Sequence, residues 1–188
     1  MELDALGEHA TARAQALSYK TATAIQSIAR QLDSEYHRAE MIHLWEESAK
    51  LLRLLFTHHS KRYQLDYCRA LHHHGGQLYR AGRWGKASSV SQEAVRLRRQ
   101  LYKADPASGR NCGDLASSLD LYSRCLNKLG RTNEARSLTK EALALLHRLY
   151  ESDPDGRKVE LSVFLRGYGS FLFRGDSDSH PSIAHEHK

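Results

Sequence analysis

The sequence predicts an all-α fold, built as an array of antiparallel helix pairs, and three observations carry that prediction. The segment Leu-Tyr-Lys-Ala-Asp-Pro at 101–106 recurs as Leu-Tyr-Glu-Ser-Asp-Pro at 149–154, and the turn at Gly82 recurs at Gly130. Both recurrences have a period of 48 residues. A fixed period of about this size is typical of helical repeat proteins. Apolar residues elsewhere recur three and four positions apart, as they do on one face of an amphipathic helix. Strand-like runs are few, and only 3 prolines interrupt the 188 residues.

The helical segments follow one another with short connections. Residues 2–32 carry an alanine-rich pattern that fits one long helix or two with a break near residues 18–20, and a turn follows at 33–37. Further helices are predicted over residues 40–58, 61–80, 86–103, 113–129, 133–151 and 158–174.

Glycine and proline mark the expected helix ends. Gly82, Gly85 and Gly130 punctuate the turns, because glycine adopts the left-handed conformation in which helices commonly end. Proline cannot continue a helix and restricts the residue before it, so each Asp-Pro pair is expected to stop one, the first before a loop at 107–111.

We predict three regions along the chain. Residues 1–20 form an N-terminal helix that caps the array or belongs to a preceding half-repeat. Residues 21–174 form the repeat domain. Residues 175–188 have almost no apolar content and are predicted to be a disordered polar tail.

Composition bounds the function classes. The net charge of +6 and the pI of about 9.3 permit attraction to acidic peptides, nucleic acid or anionic lipid. No apolar run approaches the roughly 20 residues that a membrane span needs, and the acidic N-terminus lacks the apolar core of a signal peptide. Cys68, Cys112 and Cys125 form no CxxC pair, so we expect reduced thiols in an intracellular, cytoplasmic protein.

One spacing pattern recurs along the chain, most closely in the second and third helix pairs: a large residue, a large residue followed by a small one, and another large residue on the first helix, then two alanines on the second. It reads Leu71, His74-Gly75, Leu78, Ala87, Ala94 and then Leu119, Tyr122-Ser123, Leu126, Ala135, Ala142. The first pair gives Ile25, Ile28-Ala29, Leu32, Met41, Ser48, and the last helix gives Leu165, Tyr168-Gly169, Leu172.

This pattern resembles the tetratricopeptide repeat (TPR) family, in the extended form found in kinesin-light-chain-like arrays. The resemblance implies a right-handed superhelical α-solenoid whose first helices line a concave groove for a peptide. It also implies a non-catalytic scaffold for protein–protein interaction, without a cofactor.

The groove positions that the resemblance implies are mostly basic. The residues expected to bind the peptide are Arg69, His72, Tyr79, Arg80, Arg124, Asn127, Lys128 and Arg166. Gln26, Arg30, Asp120 and Arg174 are expected beside them. Because arginine binds carboxylates through a two-bond fork, we expect a protein or peptide partner of acidic character.

Two alternatives stay open. The basic run Arg96, Arg98, Arg99 and Lys103, on the convex side of the array, would bind nucleic acid or an anionic surface, although nucleic acid is the less favoured partner. The second alternative is that the chain is a fragment of a larger multidomain repeat protein. The sequence shows no recognisable catalytic constellation and no metal-ligand spacing. The triplet His72-His73-His74 is not expected to bind one metal ion, because consecutive side chains on a helix point in different directions. The oligomeric state is not predicted.

Overall fold

The computed structural model describes residues 2–32 and 36–152 of the chain. Across these residues every regular element is an α-helix, which confirms the all-α prediction for this part of the protein. Consecutive helices pack against each other along the array. The helices are α1 Glu2–Gln31, α2 Arg38–His58, α3 Ser60–Arg80, α4 Trp84–Ala104, α5 Gly109–Lys128 and α6 Thr132–Ser152.

The helices form two layers. The Tyr19 hydroxyl on α1 donates to the Asp66 carboxylate on α3 over 3.0 Å, and α3 also contacts α5. On the other side, Arg99 of α4 pairs with Glu141 of α6. The exposed surface of α1, α3 and α5 is called the odd-helix face below, and that of α2, α4 and α6 the even-helix face.

The core is made of the residues at the predicted packing positions. Leu119, Leu126, Ala135 and Ala142 are buried, and so are their counterparts one repeat earlier. The small positions allow close approach: a Cβ added to Gly75 would stand 2.9 Å from Ser91 Oγ and 3.4 Å from a methyl of Leu121. The repeat pattern therefore predicts the packing, because it records which positions face neighbouring helices.

The predicted glycine turns are present at two of three positions. Gly82 and Gly130 have φ values of 73° and 76°. The following amides, of Arg83 and Arg131, donate 2.9 Å hydrogen bonds back to the carbonyls of Leu78 and Leu126. This is the Schellman arrangement, which satisfies carbonyl groups left open at a helix end. Gly85 differs from the prediction, since it lies inside the first turn of α4.

Two predicted boundaries are corrected. The loop expected at 107–111 is shorter, because Ser108 caps α5: its side chain accepts a hydrogen bond from the Asn111 amide over 3.2 Å, and the helix begins at Gly109. The helix α1 runs unbroken through residues 18–20, so the alternative with a break there is wrong. Ser18 Oγ bonds back to the Ala14 carbonyl over 2.9 Å without interrupting the helix.

The buried face of α1 also differs from the apolar pattern. Leu17 and Ile28 are exposed, whereas Ala22, Gln26 and Ala29 are buried. The small residues face inward because α1 lies close against α2 and α3.

The helix predicted over 158–174 and the tail over 175–188 lie outside the described residues. Within 2–32 and 36–152, no helix is both long enough and apolar enough to cross a membrane.

Candidate functional site

The centre of the candidate site is a pair of neighbouring histidines on α3. His72 Nδ1 lies 3.4 Å from Ser118 Oγ on α5, and His73 stacks on Trp45 of α2, with ring centroids 4.4 Å apart. The α3 helix therefore directs one imidazole towards the following repeat and the other towards the preceding one. The pair joins three helices at one place on the odd-helix face.

Arginines surround these two imidazoles. Burial and, to a smaller extent, the charges of Arg98, His73, Arg80 and Arg124 together lower the pKa of His72 to about 3. Burial and, to a smaller extent, the charges of neighbouring arginines together lower the pKa of His73 to about 4. Both rings are therefore neutral at physiological pH. We call this group the basic cluster: His72, His73, Arg30, Arg69, Arg80, Arg98 and Arg124.

Arg98 lies at the base of the cluster and is almost fully buried, with 4% of its surface exposed. Its guanidinium donates to Ser118 Oγ over 2.7 Å and to the backbone carbonyl of Asp114. Both acceptors are neutral. Among the described residues its Nε has no hydrogen-bond partner, and burial lowers the pKa of the guanidinium from its ordinary value. Arg98 thus places a positive charge in the low-dielectric interior beneath the histidines.

Carboxylates offset only part of the charge of the cluster. Asp66 lies 3.3 Å from Arg69, and Asp120 lies 3.3 Å from Arg124. Burial raises the pKa of Asp120, although Arg124 acts in the opposite direction. Within the described part of the chain, Arg30 and Arg80 form no ion pair. The cluster therefore carries cations available to an anionic ligand.

Aromatic rings hold the outer cations in place. The Arg124 guanidinium lies 4.7 Å from the centre of the Tyr79 ring, and Arg30 lies 5.9 Å from that of Trp45. Lys128 Nζ lies 5.5 Å from the centre of the Trp84 ring, one helical turn beyond Arg124. Such contacts position a charged head group while leaving its outer side open to solvent.

The structure brings together most of the residues predicted to bind a peptide. Arg69, His72, Tyr79, Arg80 and Arg124 belong to one surface, and Asn127 and Lys128 follow on α5.

Other residues predicted to lie in or beside the groove are not placed on this surface. Gln26 was expected beside the groove but is buried, and its amide donates to Ser48 Oγ over 3.0 Å. Arg166 and Arg174 lie outside the described residues.

Sequence reasoning missed His73, Arg98 and Asp66 as parts of this site. One signal was available for His73, because Arg69, His73 and Arg80 share one helical stripe at spacings of four and seven. No local signal identifies Arg98, whose burial depends on contacts between α4 and α5.

The basic run on the even-helix face is largely neutralised. Arg96 pairs with Glu93 at 2.7 Å and Arg99 with Glu141 at 2.5 Å, while Arg98 points into the protein. Lys103 remains exposed. Arg96, Arg99 and Lys103 border a cleft of about 650 Å³ whose other walls include Gln92, Gln100 and Tyr122. A continuous row of free cations, as expected for phosphate contacts along a nucleic acid, is not formed by this run.

The buried thiols of Cys68 and Cys125 are protonated at neutral pH. Burial raises the pKa of Cys68 to about 12 and that of Cys125 to about 11. In the ranges 2–32 and 36–152, no three side chains of the His, Cys, Asp and Glu types converge as ligands for a metal ion.

No protein-family model, no curated protein and no solved structure matches the chain.

Proposed function

We propose that the protein is a non-catalytic interaction module that binds an acidic peptide segment on its odd-helix face. The observation that carries the proposal is the convergence of Arg30, Arg69, Arg80 and Arg124, from three different helices, on one pair of neutral histidines. Separate helices with a packed core hold these cations in a fixed arrangement. A ligand therefore finds a surface that needs little ordering when it binds.

The resemblance to tetratricopeptide repeats supports this reading. In such an array the first helix of each pair lines a concave groove, and α1, α3 and α5 are the first helices here. An extended or helical peptide on this face would cross α1, α3 and α5 in turn. Its carboxylates would meet Arg30, then Arg80 and then Arg124, each able to offer two N–H donors.

The even-helix face is the weaker candidate for an anionic partner. Arg96 and Arg99 of its basic run already have carboxylate partners, whereas Arg30 and Arg80 have none in the described residues. A nucleic acid would displace those existing pairs before gaining contacts of its own.

The test uses a fluorescein-labelled hexaglutamate peptide and fluorescence polarisation at low salt. Charge reversal by Arg80→Glu with Arg124→Glu is expected to weaken binding at least about 10-fold, because two attractive contacts become repulsive. The matched control is Lys103→Glu with Lys140→Glu, which reverses the same charge on the exposed even-helix face. Equal losses in the two double variants would contradict the proposal, since binding would then follow net charge alone.

A further inference from the structure

The odd-helix face has an unfilled position in its centre, at Gly76 on α3. The residue is partly buried, yet a Cβ added to it would meet no atom within 4 Å. The neighbouring Gly75 is different, because a Cβ there would collide with Ser91. Gly75 therefore serves packing, whereas Gly76 leaves open space on the ligand side of the helix.

Comparison of the two repeats shows that the position of Gly76 carries a large side chain in the next repeat. The counterpart of Gly76 in the next repeat is Arg124, which follows 48 positions later. Arg124 occupies its position with a guanidinium that crosses to Tyr79 on α3. The missing side chain at Gly76 thus leaves a recess bordered by His72 and His73 on one side and Arg80 on the other, since residues four apart on a helix are neighbours. Arg124 of α5 reaches Tyr79, which lies about one helical turn beyond Gly76 on α3.

The groups around this recess are donors and positive charges. Arg80 and Arg124 both act on His72, and Arg98 adds a buried charge from below. The nearest paired carboxylate on α5, Asp120, engages only Arg124, and Arg80 has no ion pair among the described residues. The two imidazoles are neutral, so neither pairs with a bound anion as a cation, and His72 Nδ1 already faces Ser118 Oγ.

We propose that the recess over Gly76 binds a phosphoryl group of a phosphorylated acidic peptide. This inference rests on the proposed function and narrows its ligand class. A phosphoryl group carries close to two negative charges at neutral pH and presents three acceptor oxygens, whereas a carboxylate carries one charge and two oxygens. The guanidinium groups of Arg80 and Arg124 together offer enough N–H donors for three oxygens. The tetrahedral group also needs the space that any side chain at position 76 would occupy.

The first experiment compares two labelled peptides, Glu-Glu-Ser-Glu-Glu and the same peptide with phosphoserine, by fluorescence polarisation at pH 7.5. The phosphorylated peptide is expected to bind at least about 10-fold more tightly, because added charge-assisted hydrogen bonds form around the phosphoryl group. Equal affinities for the two peptides would overturn the inference. If hexaglutamate still binds and Arg80→Glu with Arg124→Glu still removes that binding, the proposed function survives alone; if no acidic peptide binds, both proposals fail.

The second experiment locates the phosphoryl group. Phenyl phosphate and benzoate are titrated at pH 8 and equal ionic strength into the ¹⁵N-labelled full chain. Phenyl phosphate is expected to shift the amide signals of Gly76 and Arg80 saturably, with benzoate at least 10-fold weaker. Shifts of equal size at Lys103 and Lys140 on the even-helix face would overturn the placement.

A pair of glycine variants separates the recess from general charge. Gly76→Gln fills the recess, and Gly85→Gln adds the same side chain at an exposed glycine on α4 that also has open space. Gly76→Gln is expected to remove the preference for phosphoserine, and Gly85→Gln to keep it. An unchanged preference in Gly76→Gln would contradict the proposal, and circular dichroism confirms that both variants keep their helices.

Discussion

The guanidinium of Arg124 lies 4.7 Å from the centre of the Tyr79 ring, so a cation of one repeat rests on an aromatic residue of the repeat before it. Asp120 holds the same guanidinium from its own helix, at 3.3 Å. A ring on one side and a carboxylate on the other fix the direction in which Arg124 points. The contact between repeats is therefore also a device that prepares the proposed ligand surface.

Removing the Tyr79 ring should weaken binding, because Arg124 is then no longer held in one position. In Tyr79→Leu the apolar contact persists, but a cation–π contact of about 0.5–1 kcal/mol is lost from the free protein. Binding must then order Arg124 at a similar cost, so the affinity for hexaglutamate should fall roughly 2- to 5-fold by fluorescence polarisation. Tyr36→Leu is the control, because Tyr36 is 80% exposed in the connection before α2. A loss of the same size in the control would show that Tyr79 has no special part.

The buried Arg98 leads to a second prediction, on stability. Its guanidinium donates hydrogen bonds only to neutral acceptors, and the Asp114 carboxylate acts on it through charge without a hydrogen bond of its own. Arg98→Met keeps the volume and removes the charge, and the free energy of unfolding should change by less than about 1 kcal/mol or increase. Arg98→Ala leaves a cavity instead and should cost roughly 2–4 kcal/mol. Urea unfolding at pH 7.5 measures both, and an Arg98→Met loss as large as that of Arg98→Ala would contradict the argument.

The same charge leads to a third prediction, on acid stability. The pKa values of His72 and His73 are about 3 and about 4 in the folded protein, whereas an unfolded histidine has a pKa near 6.5. Below pH 6.5 the unfolded chain therefore binds protons that the folded protein does not. Stability should be highest above pH 6.5 and fall by about 1.4 kcal/mol per pH unit for each histidine as the pH drops towards 4.

Urea unfolding at pH 7.5, 6.0 and 5.0 tests that slope. His72→Gln with His73→Gln should flatten it, and His43→Gln, which changes an exposed histidine on α2, should leave it unaltered. Arg98→Met should shift the acid-unfolding midpoint to lower pH, because removing the nearby positive charge raises the pKa of His72 in the folded protein. A slope that is the same in all variants would exclude the histidines as its source.

The repeat made most of the fold predictable from the sequence. Leu71 and Leu119, or Ala87 and Ala135, are buried as the spacing indicates, because each faces the same neighbour in its own repeat. The apolar pattern gave a wrong prediction at the first helix of the array, which has no preceding repeat among the described residues. Ile28 on α1 fits the apolar period but is exposed, since in the described part of the chain α1 has neighbours on one side only.

The exposed cations of the candidate site could be predicted from the sequence, whereas the buried Arg98 beneath them could not. Arg80 and Arg124 stand out as cations on the first helices of their pairs. Arg98 instead belongs to a second helix, within a basic run that looks like a solvated face. Its burial depends on Ser118 and the Asp114 carbonyl, which α5 brings against α4, and no periodicity in either helix records that pairing.

The last prediction concerns the adjacent glycines Gly75 and Gly76, whose replacement by alanine should change the stability of the protein in opposite directions. Gly76→Ala places a methyl group in open space and should stabilise the protein by roughly 0.5–1 kcal/mol, because alanine loses less conformational freedom in a helix. Gly75→Ala makes the same change in propensity but brings Cβ to 2.9 Å from Ser91 Oγ, beside Leu121. That overpacking should cost about 1–3 kcal/mol. Gly82→Ala is the backbone control and should cost about 1 kcal/mol, since its φ of 73° strains any residue with a side chain. Thermal unfolding ranks the three variants, and a stabilised Gly75→Ala would mean that α3 and α4 are less closely packed than the distance to Ser91 requires.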